Sequence, residues 1–162
     1  MTEAQARQVM TAAPLSYVGV FRNADIADVV AKAEALSLHA VQLHGNEDQA
    51  YIDALRSALA PQVQIWKAQS VGDRLPERNL NHVDKYVLDN GQGGTGQRFD
   101  WSLLHGEVLD NVLLAGGLSP DNCVEAAKAG CAGLDFNSGV ESQPGIKDAS
   151  KLASVFKTLR AY

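Results

Sequence analysis

A parallel α/β fold is predicted for this chain, on three observations. Short apolar runs alternate with stretches of helical periodicity along the whole sequence, with no second composition zone and no linker. The runs end in polar, charged or glycine pairs: Phe21-Arg22, His44-Gly45, Lys67-Ala68, Asp89-Asn90, Gly116-Gly117 and Ser138-Gly139. Functional groups of parallel α/β folds sit at the carboxyl ends of strands, so such a series reads as a ligand-facing rim. Finally, the last two strand–helix repeats, between Asn111 and Glu141, both stop abruptly on glycine. An apolar run of that length suits a strand buried on both faces.

The elements follow in chain order. Thr2-Glu3-Ala4-Gln5 has the form of a capping box and opens a helix through Met10, ended by Pro14. Tyr17 to Phe21 is the first strand, rich in aromatic and β-branched residues. Ile26, Val29, Val30, Ala33 and Leu36 mark one face of a helix. Ala40 to Gly45 is the second strand. Asp48 to Leu59 is a helix with Ile52, Leu55 and Leu59 on one face, closed by Pro61. Val63 to Ala68 is the third strand, and Gly72 to His82 is polar and irregular. Lys85 to Asp89 is the fourth strand, followed by a glycine-rich loop and a short helix over Trp101 to Leu104. The fifth and sixth strands are the two glycine-ended repeats. Between them runs a helix from Asp121 to Ala129, stopped by Gly130. The last helix starts near Asp148, with Leu152, Val155, Phe156 and Leu159 as its apolar stripe.

Bulk properties exclude several functions. At 162 residues the length suits one domain. A net charge of -5 argues against nucleic acid or an anionic membrane surface as partner. Met1 to Pro14 is polar and has no signal-peptide core, and no run is long enough to span a bilayer. Cys123 and Cys131 are the only cysteines and are expected to be reduced, one in a helix and one in the turn before a strand. A cytoplasmic protein is expected.

The chemistry concentrates at strand ends. Ser119 is a good N-cap and Pro120 a good first helical residue, so a helix is expected directly after Gly116-Gly117. Two adjacent glycine loops of this kind, with bare N–H groups turned toward a ligand, would then make a phosphate cradle, as after strands seven and eight of many (β/α)8 barrels. The competing reading is two ordinary glycine turns. Asp89 ends an apolar strand, where lost hydration would raise its pKa toward the range of a general acid. A turn-capping aspartate is the alternative. Gln42 and His44 point to the same side of their strand. Lys67 could meet an anion or form an internal salt bridge. Asp135, placed inside the last strand, is costly unless paired or used, and use is favoured. His39, His82 and His105 read as surface residues, and Trp66 and Trp101 as packing residues. No cluster has metal-ligand spacing. Gly91-Gln92-Gly93-Gly94-Thr95-Gly96 formally matches G-x-G-x-x-G, but no long helix follows and no acidic residue ends the next strand about 20 residues on. A loop that folds over a ligand explains its glycines better.

Several blocks together resemble phosphoribosylanthranilate isomerase, in order along essentially the whole chain. They are Gln42-Leu43-His44-Gly45-Asn46-Glu47, Val87-Leu88-Asp89-Asn90, Gly93-Gly94-Thr95-Gly96 with Phe99-Asp100-Trp101, and Leu114-Ala115-Gly116-Gly117-Leu118. The most specific is Asp135-Phe136-Asn137-Ser138-Gly139-Val140-Glu141 with Pro144-Gly145-Ile146-Lys147-Asp148. The closest resemblance is to the isomerase half of a bifunctional enzyme that carries indole-3-glycerol-phosphate synthase upstream. It implies a (β/α)8 barrel of tryptophan biosynthesis. The implied reaction is an Amadori rearrangement of N-(5-phosphoribosyl)anthranilate to 1-(2-carboxyphenylamino)-1-deoxyribulose 5-phosphate, without cofactor or metal. By the same resemblance Asp89 is the general acid, Gly116, Gly117, Ser138 and Gly139 hold the phosphate, and Asp135, His44, Lys67, Gln42 and Gly94 contact substrate.

The sequence also departs from that family. The family opens with a strand bearing a Lys-x-Cys-Gly type motif, whose cysteine is the general base, and an arginine near the end of its second strand. Neither is present here. The expectation is one domain over 1–162, truncated at its N-terminus, with about six parallel strands matching the family's third to eighth. Open edges at the strands of Val18 and Leu134 follow. Such a chain is expected to be poorly active alone. The alternatives are a non-catalytic phosphate-binding fragment that complements a partner segment, and another phosphate-binding barrel enzyme.

Overall fold

The computed structural model describes residues 1–91 and 98–162. The chain forms two compact units, Met1–Ala68 with Arg78–Lys85, and Gln69–Glu77 with Tyr86–Tyr162. The six expected strands form and pair in parallel within each unit, with helices between them except after β3, where the irregular stretch leads directly to the next strand.

The first unit contains α1 (Glu3–Ala12), β1 (Val18–Phe21), α2 (Ile26–Ala35), β2 (Ala40–Leu43), α3 (Gln49–Ala58) and most of β3 (Gln64–Ser70). The capping box at Thr2 forms as expected, with Gln5 N–H donating to Thr2 Oγ1 at 3.2 Å and Thr2 N–H to Gln5 Oε1 at 2.8 Å. α1 runs two residues past the expected Met10 and buries none of its side chains. β1, β2 and β3 pair in parallel, Phe21 beside Leu43 and Leu43 beside Lys67. Val41, Leu43 and Ile65 pack with Val29, Ala33, Ile52 and Leu55 of α2 and α3. That face of the strands is therefore the helix-covered one. Burying each such side chain contributes roughly 1.5–3 kcal/mol. Arg56 closes α3 by donating to the carbonyls of Leu59, Ala60 and Val63 at 3.2, 2.7 and 2.7 Å, a cation where the helix end is negative.

The second unit contains β4 (Lys85–Asp89), a 3-10 helix over Trp101–Leu104, β5 (Val112–Leu114), α4 (Cys123–Lys128), β6 (Gly133–Leu134), a 3-10 turn over Ser138–Val140, β7 (Glu141–Gln143), β8 (Ile146–Lys147) and α5 (Ala149–Ala161). β4, β5 and β6 pair in parallel, Leu88 beside Leu114 and Leu114 beside Leu134. Among the described residues β1 pairs only with β2, and β6 only with β5, so the two expected edge strands are edges. Leu88, Val112, Leu114 and Leu118 form the centre of the core, with Phe99, Trp101 and Leu104 against them. Trp101 is a packing residue as read; Trp66 is half-buried, its indole N–H donating to Gln64 Oε1 at 2.8 Å.

Three expectations need correction, and one element goes beyond them. The helix after the first glycine pair does not begin at Ser119 and Pro120. Asn122 accepts from Ser119 N–H at 2.8 Å and donates to Gly117 O at 2.9 Å, closing a turn that delays the helix to Cys123. Asp135 is not inside a strand. β6 ends at Leu134, and Asp135 N–H reaches Leu114 O at 2.8 Å from just beyond it. Phe156 is not part of the α5 stripe. Val155, Leu152 and Leu159 face Cys123 and Val140, whereas Phe156 is 56% exposed under the Arg160 guanidinium. The β7–β8 hairpin was not foreseen, because three- and two-residue strands leave no periodicity to read. Pro144 and Gly145, with Gly145 at φ +81°, supply its turn.

Candidate functional site

In the second unit the ends of β4, β5 and β6 meet. Asp89 closes β4 half-buried, and its Oδ1 accepts the N–H of Asn90 at 2.6 Å. A Cβ placed on Gly116 would run into that same Oδ1 and lie 3.1 Å from Asn90 N. Only a glycine lets β5 end this close to the carboxyl group, and its φ of +81° is a conformation other residues adopt at a cost. The Asp89 carboxyl therefore lies beside the glycine loop after β5. A Gly116→Ala substitution is expected to cost about 1–2 kcal/mol in backbone strain and to push the Asp89 side chain aside. Chemical denaturation of the variant, with its crystal structure, checks both.

The second glycine loop touches the first. A Cβ on Gly139 would overlap the carbonyl of Leu118 and sit 3.2 Å from Ser119 Cα. The loops are held in that contact from both sides. Asn122 clamps Gly117 and Ser119, as described above. Lys147 donates to Asn137 O at 2.9 Å, Asn137 Oδ1 at 2.6 Å and Glu141 Oε1 at 2.8 Å, pinning the residues around Ser138. Hydrogen bonds from Lys147 and Gly145 hold the Glu141 carboxyl below the ordinary carboxylate range. Within this frame the N–H groups of Gly116, Gly117, Ser138 and Gly139 donate to no group among the described residues. All four residues are half-buried. Bare backbone donors on two touching loops are the material of an anion-binding concavity. Asp135, also half-buried, follows β6 at the same end of this unit.

In the first unit Gln42 and His44 lie on the strand face opposite the helix-covered one, given by Val41 and Leu43. Gln42 is 6% exposed, His44 is exposed, and their Nε2 and Nδ1 atoms are 3.3 Å apart. Lys67 shares the parity of Val63 and Ile65, on the helix-covered side. Its ammonium donates to Gly45 O at 2.7 Å and to Glu47 Oε2 at 3.0 Å, with Leu43 O at 3.5 Å. Of the two readings of Lys67, the internal salt bridge is the one the structure displays. Sequence reasoning missed Glu47. No local signal marks it, because its partner Lys67 is brought to it from a different strand.

Gly94 and most of the Gly91–Gly96 motif lie outside the described residues. The flanking Phe99-Asp100-Trp101 block is structural, since Phe99 and Trp101 are buried and Asp100 accepts from Ser102 N–H at 2.9 Å. His39, His82 and His105 are exposed, as read from sequence. Cys123 is buried in α4 with its thiol 3.4 Å from Pro120 O, and Cys131 precedes β6. Among the described residues no group of three or more His, Cys, Asp or Glu side chains could hold a metal ion. None of the helices among those residues is long and apolar enough to cross a membrane.

Comparison with known proteins matches residues 1–158 to the family model described as N-(5'phosphoribosyl)anthranilate (PRA) isomerase. A tryptophan biosynthesis protein TrpCF of Salmonella typhi is 74% identical over 158 residues, 98% of this chain and 35% of that protein. A protein of the same name from Yersinia pestis is 67% identical over 159 residues, 98% of this chain and 34% of that protein. The chain thus spans about a third of the length of these curated relatives. A crystal structure of phosphoribosyl anthranilate isomerase from Thermus thermophilus superposes with a TM-score of 0.84 at 29% identity, covering 99% of this chain and 80% of that one. A structure of the isomerase in complex with reduced 1-(o-carboxyphenylamino)-1-deoxyribulose 5-phosphate gives a TM-score of 0.77 at 28% identity, covering 100% and 81%.

Proposed function

Because this chain belongs to the phosphoribosylanthranilate isomerase family of tryptophan biosynthesis, with a fold of the (β/α)8 barrel type, we propose that it supplies the phosphate anchor and the general acid of an Amadori rearrangement. The observation that carries the proposal is the set of four bare N–H groups on two touching glycine loops, with the Asp89 carboxyl against Gly116. The dianionic 5-phosphate of N-(5-phosphoribosyl)anthranilate meets these donors, and their dipoles favour its charge. With the phosphate fixed, Asp89 donates its proton to the ring oxygen as the bond from that oxygen to C1 breaks. The anthranilate nitrogen lone pair moves in to form the protonated Schiff base. Loss of the C2 proton to a base then gives an enolamine, which ketonises at C2 to the deoxyribulose product. General acid catalysis of this kind contributes about 10²–10⁴-fold. Asp135 is assigned to the sugar hydroxyls. His44, Gln42 and Gly94 are assigned to substrate. Lys67 stays a candidate contact only if its bond to Glu47 opens.

Neither thiol of this chain is placed to act as the C2 base. Cys123 is buried in α4 and Cys131 lies ahead of β6, so neither ends a strand. The chain is therefore expected to bind the reduced product analogue while turning over substrate at no more than background rate. Calorimetric titration and a fluorescence turnover assay on the same preparation test this. Failure to bind the analogue contradicts the anchor, and near-normal turnover contradicts the assignment of the base. We further place the chain, as one domain in the cytoplasm, beside an indole-3-glycerol-phosphate synthase domain of a longer protein, on the strength of its TrpCF relatives.

A further inference from the structure

Glu47 has no assigned role, yet it is the most enclosed charge described in the first unit. Its side chain is 1% exposed, and that of its partner Lys67 is 7% exposed. Its two oxygens are fully engaged. Oε1 accepts Asn23 N–H at 2.7 Å, and Oε2 accepts Gly45 N–H at 2.9 Å and the Lys67 ammonium at 3.0 Å. These donors come from three different places, after β1, after β2 and from β3. Asn23 completes the tie, since its Oδ1 accepts Asn46 N–H at 2.7 Å. Two backbone features accommodate this packing. Asn23 sits at φ +49°, a left-handed conformation that asparagine tolerates better than most residues. Gly45 has no room for a side chain, because its Cβ would collide with the Asn23 carboxamide. The residue between β2 and this knot is His44, exposed at the strand end with Nδ1 against Gln42.

We propose that Glu47 is a positioning residue, a buried carboxylate that latches the ends of β1, β2 and β3 together and so fixes where His44 presents its imidazole to substrate. The step to substrate rests on the reading of His44 as a substrate contact; the latch itself does not. A charged acceptor serving three donors holds backbone more rigidly than a neutral one, because each bond is charge-assisted. The Glu47–Lys67 pair at the centre of the latch is buried and tied to both flanking strands, while Asn23 and Asn46 stay exposed at its rim.

The test is the double variant Glu47→Gln/Lys67→Met of the full chain, which removes both charges at similar volume and so avoids stranding either one. Amide hydrogen exchange is read by NMR at Asn23, Gly45 and Asn46, against core amides of Val41 and Ile65 as reference. The expected result is exchange at least tenfold faster at the three loop amides with the core amides unchanged, and a His44 ring signal that broadens or splits. Affinity for the reduced product analogue is expected to fall about tenfold. Unchanged loop amides, or loss of protection spread evenly over the unit, overturn the latch. Loosened loop amides with unaltered affinity and an unaltered His44 signal overturn its positioning role. If the unsubstituted chain itself does not bind the analogue, the isomerase reading of the binding surface falls, and the exchange pattern still decides the latch. Glu47→Asp serves as the rescue control: it keeps the charge, and partial recovery of the three amides is expected.

Discussion

Replacing Lys67 with methionine is expected to cost about 3–5 kcal/mol, because the substitution leaves the Glu47 carboxylate buried without its counter-charge. The sign of the pH dependence separates this cause from a simple loss of packing. Burial acts to raise the Glu47 pKa, but hydrogen bonds from Asn23 and from its own backbone, together with the Lys67 bond and charge, outweigh it and hold the group below its ordinary 4.5. A carboxyl whose folded pKa is depressed contributes stability above its unfolded value and loses that contribution as pH falls through the folded one. In the native chain, therefore, the Glu47 contribution is complete at neutral pH and fades below about pH 4.5. Without Lys67 two of the influences that oppose burial are lost, so the carboxyl protonates more readily than in the native chain, and protonation relieves the stranded charge. The deficit of the variant is thus expected to be largest near neutral pH and to shrink on acidification. Urea unfolding of both proteins at neutral and mildly acidic pH measures it. A deficit independent of pH would mean that packing of the lysine stem, not its charge, matters.

Gly139→Ala is expected to have the second large effect, on binding more than on folding. The added methyl group has nowhere to go, because the nearest obstacle is the backbone carbonyl of Leu118 and not the movable end of a side chain. Overpacking of this kind costs about 1–3 kcal/mol. Relief requires the loops after β5 and β6 to part, and parting them disperses the N–H groups of Gly116, Gly117, Ser138 and Gly139. Loss of converged donors to a dianion is expected to weaken affinity for the reduced product analogue by at least about 100-fold, since hydrogen bonds to charged groups contribute about 1.5–3 kcal/mol each. Thermal unfolding and calorimetric titration of the variant provide the two numbers. An affinity within twofold of the unsubstituted chain would detach the glycine pair from phosphate binding altogether.

The long-range plan of the molecule was readable from the sequence because its signals are long-range. Strand–helix alternation, the capping box at Thr2, the helix starts at Asp48 and near Asp148, and the apolar faces of α2 and α3 all depend on periodicity or on single stereochemical preferences. The errors arose where side chains override local preference. Ser119-Pro120 has the chemistry of a helix start, yet Asn122 captures the Ser119 N–H and holds a turn there instead. Phe156 fits the stripe of α5 by spacing, but the surface that α5 meets, formed by Cys123 and Val140, takes only Val155, Leu152 and Leu159. At the site, the sequence singles out the glycines for bare N–H groups alone, whereas the structure shows that Gly116 and Gly139 also admit the close approach of Asp89 and of Leu118, which only tertiary packing reveals. Glu47 escaped notice because burial of a charge is a tertiary fact. No local pattern distinguishes a solvated loop glutamate from one that binds three separate donors.

The central claim is that a sugar phosphate is held where β5 and β6 end, next to the Asp89 carboxyl. Its most direct test is a titration of the ¹⁵N-labelled chain with reduced 1-(o-carboxyphenylamino)-1-deoxyribulose 5-phosphate, followed at individual amides. Saturable shifts concentrated at Gly116, Gly117, Ser138 and Gly139, with the Asp89 carboxyl carbon responding in the same titration, are the expected result. Saturable binding that leaves those four amides and Asp89 unmoved, or no binding at all, would contradict it.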